Sequence, residues 1–207
     1  DVGCGFGGTI ASLNERFSGL KMVGINVDIR QITRARELVI PQPANSIEFV
    51  QAAAENIPLP DNSVDTMLAV ESAFHFDRPE FFAEAKRLLP DRGSLTISDF
   101  VISDSALEYL KDYDLFADEG IRSSYGHVDL SWSLPRYQQL AADNGFKVTD
   151  TIDITRQTLP TYDFLYAHTA SLPAAWQDPH FLRATRMLEK SSRKGLMQYA
   201  IVRFEKT

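Results

Sequence analysis

The chain of 207 residues is predicted to fold as one α/β domain built on a doubly wound, mostly parallel sheet. Three observations predict this. Strand-like apolar runs alternate with amphipathic helical stretches. The opening "DVGCGFGGTIASL" gathers Gly3, Gly5, Gly7 and Gly8 in a turn that runs into a helix, the arrangement that lets backbone N–H groups approach a ligand. No repeat, low-complexity tract or linker divides the sequence.

The elements follow in order. Residues 20–27, "LKMVGINV", read as a strand. Residues 29–40, "IRQITRARELVI", have helical spacing and are stopped by Pro41 and Pro43. "SIEFVQ" (46–51) is a short strand, "LPDNSVD" (59–65) a turn and "TMLAVE" (66–71) an apolar strand. Helix 79–89 opens on Pro79, a residue favoured in a first turn. "PDRG" (90–93) turns into strand 94–100, "SLTISDF". Runs bounded in this way are expected to be buried parallel strands joined by right-handed crossovers. Beyond residue 103 the pattern loosens into a helix near 104–117 and an aromatic loop at 123–132. A helix at 135–144 then ends at Gly145, strand 146–154 follows, and two further helical stretches precede a final strand, "LMQYAIVRF" (196–204).

Six strands are therefore expected. A doubly wound sheet needs another central strand just before the glycine turn, and the chain opens on the turn itself. It is expected to be the C-terminal part of a longer chain, whose preceding segment ends in an apolar strand feeding Asp1.

Composition narrows the function. The net charge of −7 argues against a nucleic-acid partner, which rests largely on Lys and Arg neutralising phosphates. Cys4 is the only cysteine, so an internal disulfide is excluded and a reducing cytoplasm is the default location. No apolar run reaches the roughly 18 residues that span a bilayer, and no metal-ligand cluster stands out. A small-molecule ligand is the remaining expectation, and a homo-oligomer is compatible with it.

The glycine spacing is G-x-G-x-G-G, close to but distinct from the dinucleotide pattern G-x-G-x-x-G. With "VGINVD", "AAENIPLPDNSVD", "ESAFHF" and "EAKRLLPDRGSLTISDF", the opening "DVGCGFGG" resembles the successive motifs of class I S-adenosylmethionine-dependent methyltransferases. The likeness covers residues 1–101 in order and is nearest to the small-molecule group of natural-product O-methyltransferases, sterol C-methyltransferases and cyclopropane-fatty-acid synthase relatives. It implies a Rossmann-like, seven-stranded methyltransferase sheet with an antiparallel last strand and with the first strand absent from this chain. Residues 1–103 would form the cofactor-binding core, 104–195 a lid and substrate region interleaved with the sheet, and 196–207 the last strand.

The resemblance also assigns residues. Gly3, Gly5 and Gly7 would face the methionine part of S-adenosyl-L-methionine, and Asp1 would accept from its ammonium. Many relatives carry an acid at the end of the second strand to hold the ribose; here the position is Asn26. The sterol and cyclopropane relatives place a Gln five residues later, and Gln31 stands there. An amide pair both donates to and accepts from a diol, so Asn26 and Gln31 are assigned to the ribose, with Asp28 as an alternative. Relatives often read Asp-Ala-Glu where this chain has Ala53-Ala54-Glu55. Adenine would then be held by backbone groups near Ala54 and Glu55, with apolar walls from Val27 and Ile57.

Chemistry is expected beyond the C-terminal ends of the strands. His75 and Asp99 arrive there from adjacent strands. A neutral His suits removal of a hydroxyl proton, and a carboxylate can orient it. Glu71 would end its strand near the methyl donor. Tyr125, His127 and Trp132, in a loop with little periodicity, are the candidates for an aromatic substrate pocket. A C-methyltransferase acting on a lipid- or terpenoid-like substrate and a non-catalytic cofactor-binding module are the rival readings. The departures at Asn26 and Ala53 favour the module; the glycines, Glu71, His75 and Asp99 oppose it.

Overall fold

The computed structural model describes residues 1–104, 106–107, 126, 129 and 131–207. The first half keeps a strand–helix rhythm: α1 (Gly8–Arg16), β1 (Lys21–Asn26), α2 (Ile29–Leu38), β2 (Ser46–Gln51), β3 (Thr66–Val70), α3 (Arg78–Leu88) and β4 (Ser94–Ile102). Then come α4 (Leu134–Asp143), β5 (Phe146–Asp153), α5 (Thr155–Thr158), α6 (Pro160–Ser171), α7 (Pro179–Arg193) and β6 (Met197–Lys206). Each strand falls within a few residues of its expected place. Of the helix expected near 104–117, Asp104, Ala106 and Leu107 are helical, and the rest lies outside the described residues.

Local chemistry sets the helix ends. Asp28 caps α2 by accepting from the Arg30 N–H at 2.8 Å, and Asp77 caps α3 by accepting from the Glu80 N–H at 3.2 Å. α2 stops at Leu38, two residues before the expected end, because Val39 is already extended (φ −105°). The residue before Pro41 is disfavoured in helical conformation, so the last turn cannot form.

β1 and β2 pair in parallel, from Lys21 opposite Ser46 to Asn26 opposite Gln51. β3 and β4 also pair in parallel, from Thr66 opposite Ser94 to Val70 opposite Ser98. The second sheet has the order β3-β4-β6-β5. The last strand is antiparallel to β4. At the start of β4 the Arg92 N–H donates to Lys206 O (3.0 Å) and the Lys206 N–H to Gly93 O (2.9 Å); at its exit the Ser103 N–H donates to Leu196 O (3.0 Å). This is a mixed α/β fold.

The six strands expected are the six found among the described residues, and they lie in sheets of two and four. Between β1 and β3 the backbone of Asp1, Val2, Gly3 and Cys4 pairs, the Cys4 N–H donating to Ile25 O at 2.9 Å. The Val2 N–H donates to Leu68 O, the Gly3 N–H to Ile25 O, and Asp1 O accepts from the Ile25 N–H, each at 2.8 Å. These residues bridge the two edges without forming a strand.

The chain divides into two compact units. The first comprises Asp1–Asp99, Gln138–Asp150 and Val202–Thr207. Its core includes Ile10, Ile32, Ala35 and Phe49, and a second group in which the Phe82 ring meets Phe146 and Phe204 edge-on at 5.9 and 5.1 Å. The second unit comprises Phe100–Tyr137 and Thr151–Ile201, with Phe100 against Tyr199 (5.1 Å) and buried Tyr162, Ala184 and Leu188. Among the described residues no helix is long and apolar enough to cross a membrane.

Candidate functional site

The glycine turn leaves the strand position as a run of positive φ angles: Gly3 at 74°, Gly5 at 53° and Gly7 at 81°. The three differ in what surrounds them. A Cβ on Gly3 would lie 2.4 Å from Ser72 Cβ, so Gly3 is required by packing. A Cβ on Gly7 would meet Phe49 and Val39 at 3.0 Å. A Cβ on Gly5 would meet nothing within 4 Å, so its face opens onto free space. Gly7 is also the N-cap of α1, brings no side-chain oxygen to the first-turn N–H groups, and is followed by no acid in that turn. The helix N-terminus keeps its partial positive charge for an incoming anion. Beside it, the Asp1 carboxylate buries Oδ2 without a partner among the described residues.

The end of β1 carries Asn26 and Gln31, which the structure joins: Asn26 Nδ2 donates to Gln31 Oε1 at 2.7 Å. The bond leaves the Asn26 carbonyl as acceptor and the Gln31 amide as donor, the two capacities that a vicinal diol uses. Asp28, the alternative, is committed elsewhere. Its carboxylate caps α2 and is gripped by the Arg30 guanidinium at 2.6 Å, which holds its pKa down at about 2. Val27 is 69% exposed, an unusual exposure for a valine and suited to a planar ligand face. Ile57 is not a second wall. It is buried, its N–H donates to Glu84 Oε1 at 2.7 Å, and its side chain lines a groove between β1 and β3. Ala54 is buried, and Glu55 Oε1 accepts from the Asp77 N–H at 2.9 Å, tying the loop after β2 to the cap of α3.

The exit of β3 turns sharply. Glu71 holds φ 51° with an exposed side chain, and its N–H donates to Ser98 O at 2.8 Å. A left-handed glutamate is strained, and such strain gathers at functional sites. Ser72 then makes a link that sequence reading missed: its Oγ donates to Val2 O at 2.8 Å, and its own carbonyl accepts from the His75 N–H at 3.0 Å. One serine thus holds both the glycine turn and the short helical turn Ala73–His75. No local pattern marks it, because its partner is 70 positions away. His75 is exposed, its ring 4.3 Å from the Phe74 ring. Asp99 is fully buried, and its Oδ2 accepts from the Phe74 N–H at 3.0 Å. The structure therefore brings Asp99 from β4 to the backbone beside His75.

The expected substrate loop fares differently. Tyr125 and His127 lie outside the described residues. Trp132 is 4% exposed and is packing rather than an open wall. Its Nε1 donates to Asp129 Oδ2 at 2.7 Å, the Arg136 guanidinium covers its ring at 4.0 Å, and Tyr137 packs 5.2 Å away. The lack of periodicity that suggested a pocket comes from a turn in which Asp129 Oδ1 accepts from both the N–H and the Oγ of Ser131. Among the described residues no group of His, Cys, Asp or Glu is arranged to hold a metal.

Residues 1–97 match a family model described as "Methyltransferase domain". The chain is 32% identical over 168 residues to the methyltransferase GfsG of Streptomyces halstedii, covering 78% of this chain and 56% of that protein. It is 29% identical to cycloartenol-C-24-methyltransferase 1 of Oryza sativa subsp. japonica, over 78% of this chain and 47% of that protein. It is 30% identical to an O-methyltransferase of Pyrenophora dematioidea, over 77% of this chain and 58% of that protein. The chain spans about half the length of these curated relatives. The solved structure of the mycolic acid cyclopropane synthase CmaA1, complexed with SAH and CTAB, superposes with a TM-score of 0.82 at 23% identity, covering 100% of this chain and 76% of that one. Matching motifs, relatives that are methyltransferases of two kinds and the shared fold agree: residues 1–97 carry the match to a methyltransferase domain, and the chain is similar to class I S-adenosylmethionine-dependent methyltransferases.

Proposed function

We propose that this domain transfers a methyl group from S-adenosylmethionine to a hydroxyl of a small, largely apolar or glycosylated metabolite. The observation that carries the reading is the pinned turn: buried Asp99 holds the backbone of Phe74 at 3.0 Å, next to exposed His75. That turn is tied through Ser72 to the glycine turn.

The residues present fit the cofactor. Orphaned Asp1 Oδ2 suits an ammonium, the uncapped start of α1 a carboxylate, and the open face of Gly5 the close approach of a ligand. Asn26 with Gln31 would take the ribose hydroxyls, Val27 one adenine face, and the backbone at Ala54 and Glu55 the adenine edge. Bound there, the cofactor supplies an electrophilic methyl on a sulfonium. The protein's task is then to place an acceptor oxygen in line and take its proton. His75 is assigned as the base, and Asp99 as the residue that fixes its position. Glu71, beside the same exit, is assigned to the cofactor. Tyr125 and His127 remain substrate candidates by sequence alone.

The test is single-turnover methyl transfer with saturating cofactor across a pH series. His75→Ala should lower the rate about 100- to 10,000-fold at unchanged cofactor affinity. A wild-type rate and pH profile would remove His75 from the chemistry. The C-methyltransferase reading, which the similarity to cycloartenol-C-24-methyltransferase 1 supports, would then lead.

A further inference from the structure

α6 and α7 form an antiparallel hairpin. The Tyr166 hydroxyl donates to Glu189 Oε2 at 2.6 Å; farther back on α6, the Tyr162 hydroxyl lies 3.4 Å from Ser192 Oγ, farther on in α7. The residues that join the helices are therefore its tip. Their own backbone fixes them: the Trp176 N–H donates to Pro173 O at 2.8 Å, and Gln177 Nε2 donates to Leu172 O at 2.9 Å. From Phe164 to Gln177 the sequence has no Lys, Arg, Asp or Glu. At the tip Pro173, Ala174 and Ala175 are exposed, and Trp176 is 74% exposed. An exposed tryptophan held on an ordered, uncharged turn marks an interaction site.

The charges begin where the tip ends. Residues 179–194 hold five cations against one acid, in a chain whose net charge is −7. That acid, Glu189, is spent in the seam of the hairpin on Tyr166 and Arg193. Asp178, just before them, caps α7 by accepting from the His180 N–H at 2.8 Å. α7 buries Ala184, Thr185, Leu188 and Ser192 on one face and exposes Arg183, Arg186 and Lys190 on the other. Arg186 and Lys190 make no hydrogen bond or ion pair among the described residues. With Pro179, Leu182 and Met187, the three cations line a hollow of about 490 Å³.

We propose that the tip and the exposed face of α7 dock on an anionic lipid surface, with Trp176 in the interfacial region and Arg183, Arg186 and Lys190 among the headgroups. Charge complementarity sets the sign of the partner, and the tip sets its kind. Tryptophan favours the boundary between lipid and water, where its ring is in apolar surroundings and its N–H stays wet. The Arg and Lys stems can lie along Leu182 and Met187 while their charged ends reach phosphates. Arg186 and Lys190 are held by no neighbour, which suits headgroups that move to meet them. An acidic protein would be matched better by preorganised cations and leaves the uncharged tip unexplained. None of these residues takes part in the cofactor or catalytic assignments above, so loss of docking would leave those untouched.

The experiment is co-sedimentation of the chain with vesicles of phosphatidylcholine alone or mixed with phosphatidylserine, with tryptophan fluorescence read in parallel. The chain should bind the mixed vesicles, and high salt should release it. Its emission should shift to the blue on binding. Trp176→Ala should abolish that shift, because the remaining tryptophan, Trp132, is buried, and should weaken binding about ten-fold. Arg186→Gln with Lys190→Gln should weaken binding about 25-fold, at roughly five-fold per cation. Both variants change exposed side chains, so their melting temperatures should match that of the unmodified chain. Failure to bind the mixed vesicles would overturn the proposal, as would binding that neither variant weakens. Retention on polyglutamate without vesicle binding would assign the face to an acidic protein, and dimerisation through the same residues would assign it to a second copy; either result overturns the lipid surface.

Discussion

The two compact units use their polar residues in opposite ways. In the first, hydrogen-bonding capacity is left open at the strand exits: Asp1 Oδ2 has no partner among the described residues, Gly5 faces free space, and α1 starts without a side-chain cap. In the second, polar side chains are consumed by the fold. Trp132 donates to Asp129, the Tyr166 hydroxyl donates to Glu189 at 2.6 Å, and Arg193 donates to the same carboxylate at 2.8 Å. Burial and this carboxylate push the Tyr166 hydroxyl up to about 12, so it stays protonated throughout the working pH range. The difference teaches that an aromatic or charged side chain in an irregular stretch says little about binding until its partner is known. Unspent capacity beside strained backbone is the better guide.

Two glycines put the comparison most sharply. Gly5 (φ 53°) and Gly195 (φ 69°) both hold left-handed backbone, and a Cβ on either would meet nothing within 4 Å. Gly5→Val should abolish S-adenosylmethionine binding in calorimetry, through strain and through occupation of the ligand's space. Gly195→Ala should cost about 1 kcal/mol of stability and leave the affinity unchanged. Equal effects on binding at the two sites would break the contrast.

Next in size, Asp99→Asn should slow methyl transfer less than His75→Ala does, because the amide keeps an oxygen for the Phe74 N–H. The ratio of the two single-turnover rates measures how far Asp99 acts through position alone.

The smallest expected effect is at Trp132. Trp132→Phe removes the donor to Asp129 and should cost about 1 kcal/mol, with KM for any accepted substrate unchanged. A changed KM would return Trp132 to the substrate pocket and weaken the distinction between the units.

Much of this was legible in the sequence, for a physical reason. Alternation of apolar runs and amphipathic stretches is a local property, and local burial decides whether a stretch forms a strand or a helix. Hence β1 to β6 lie where the sequence places them, the glycine turn precedes a helix, and Asn26 finds Gln31 five residues on. What only the tertiary structure decided are partnerships across long separations. Ser72 bonds to Val2, Asp99 to Phe74, and Glu55 to Asp77. Ile57 turns into the groove and Trp132 into the core. Gly3 is required by a neighbouring side chain, whereas Gly5 faces open space. Nothing in a residue's own neighbourhood along the chain encodes these outcomes. They follow from which strands lie side by side, and that is fixed when the whole core is buried.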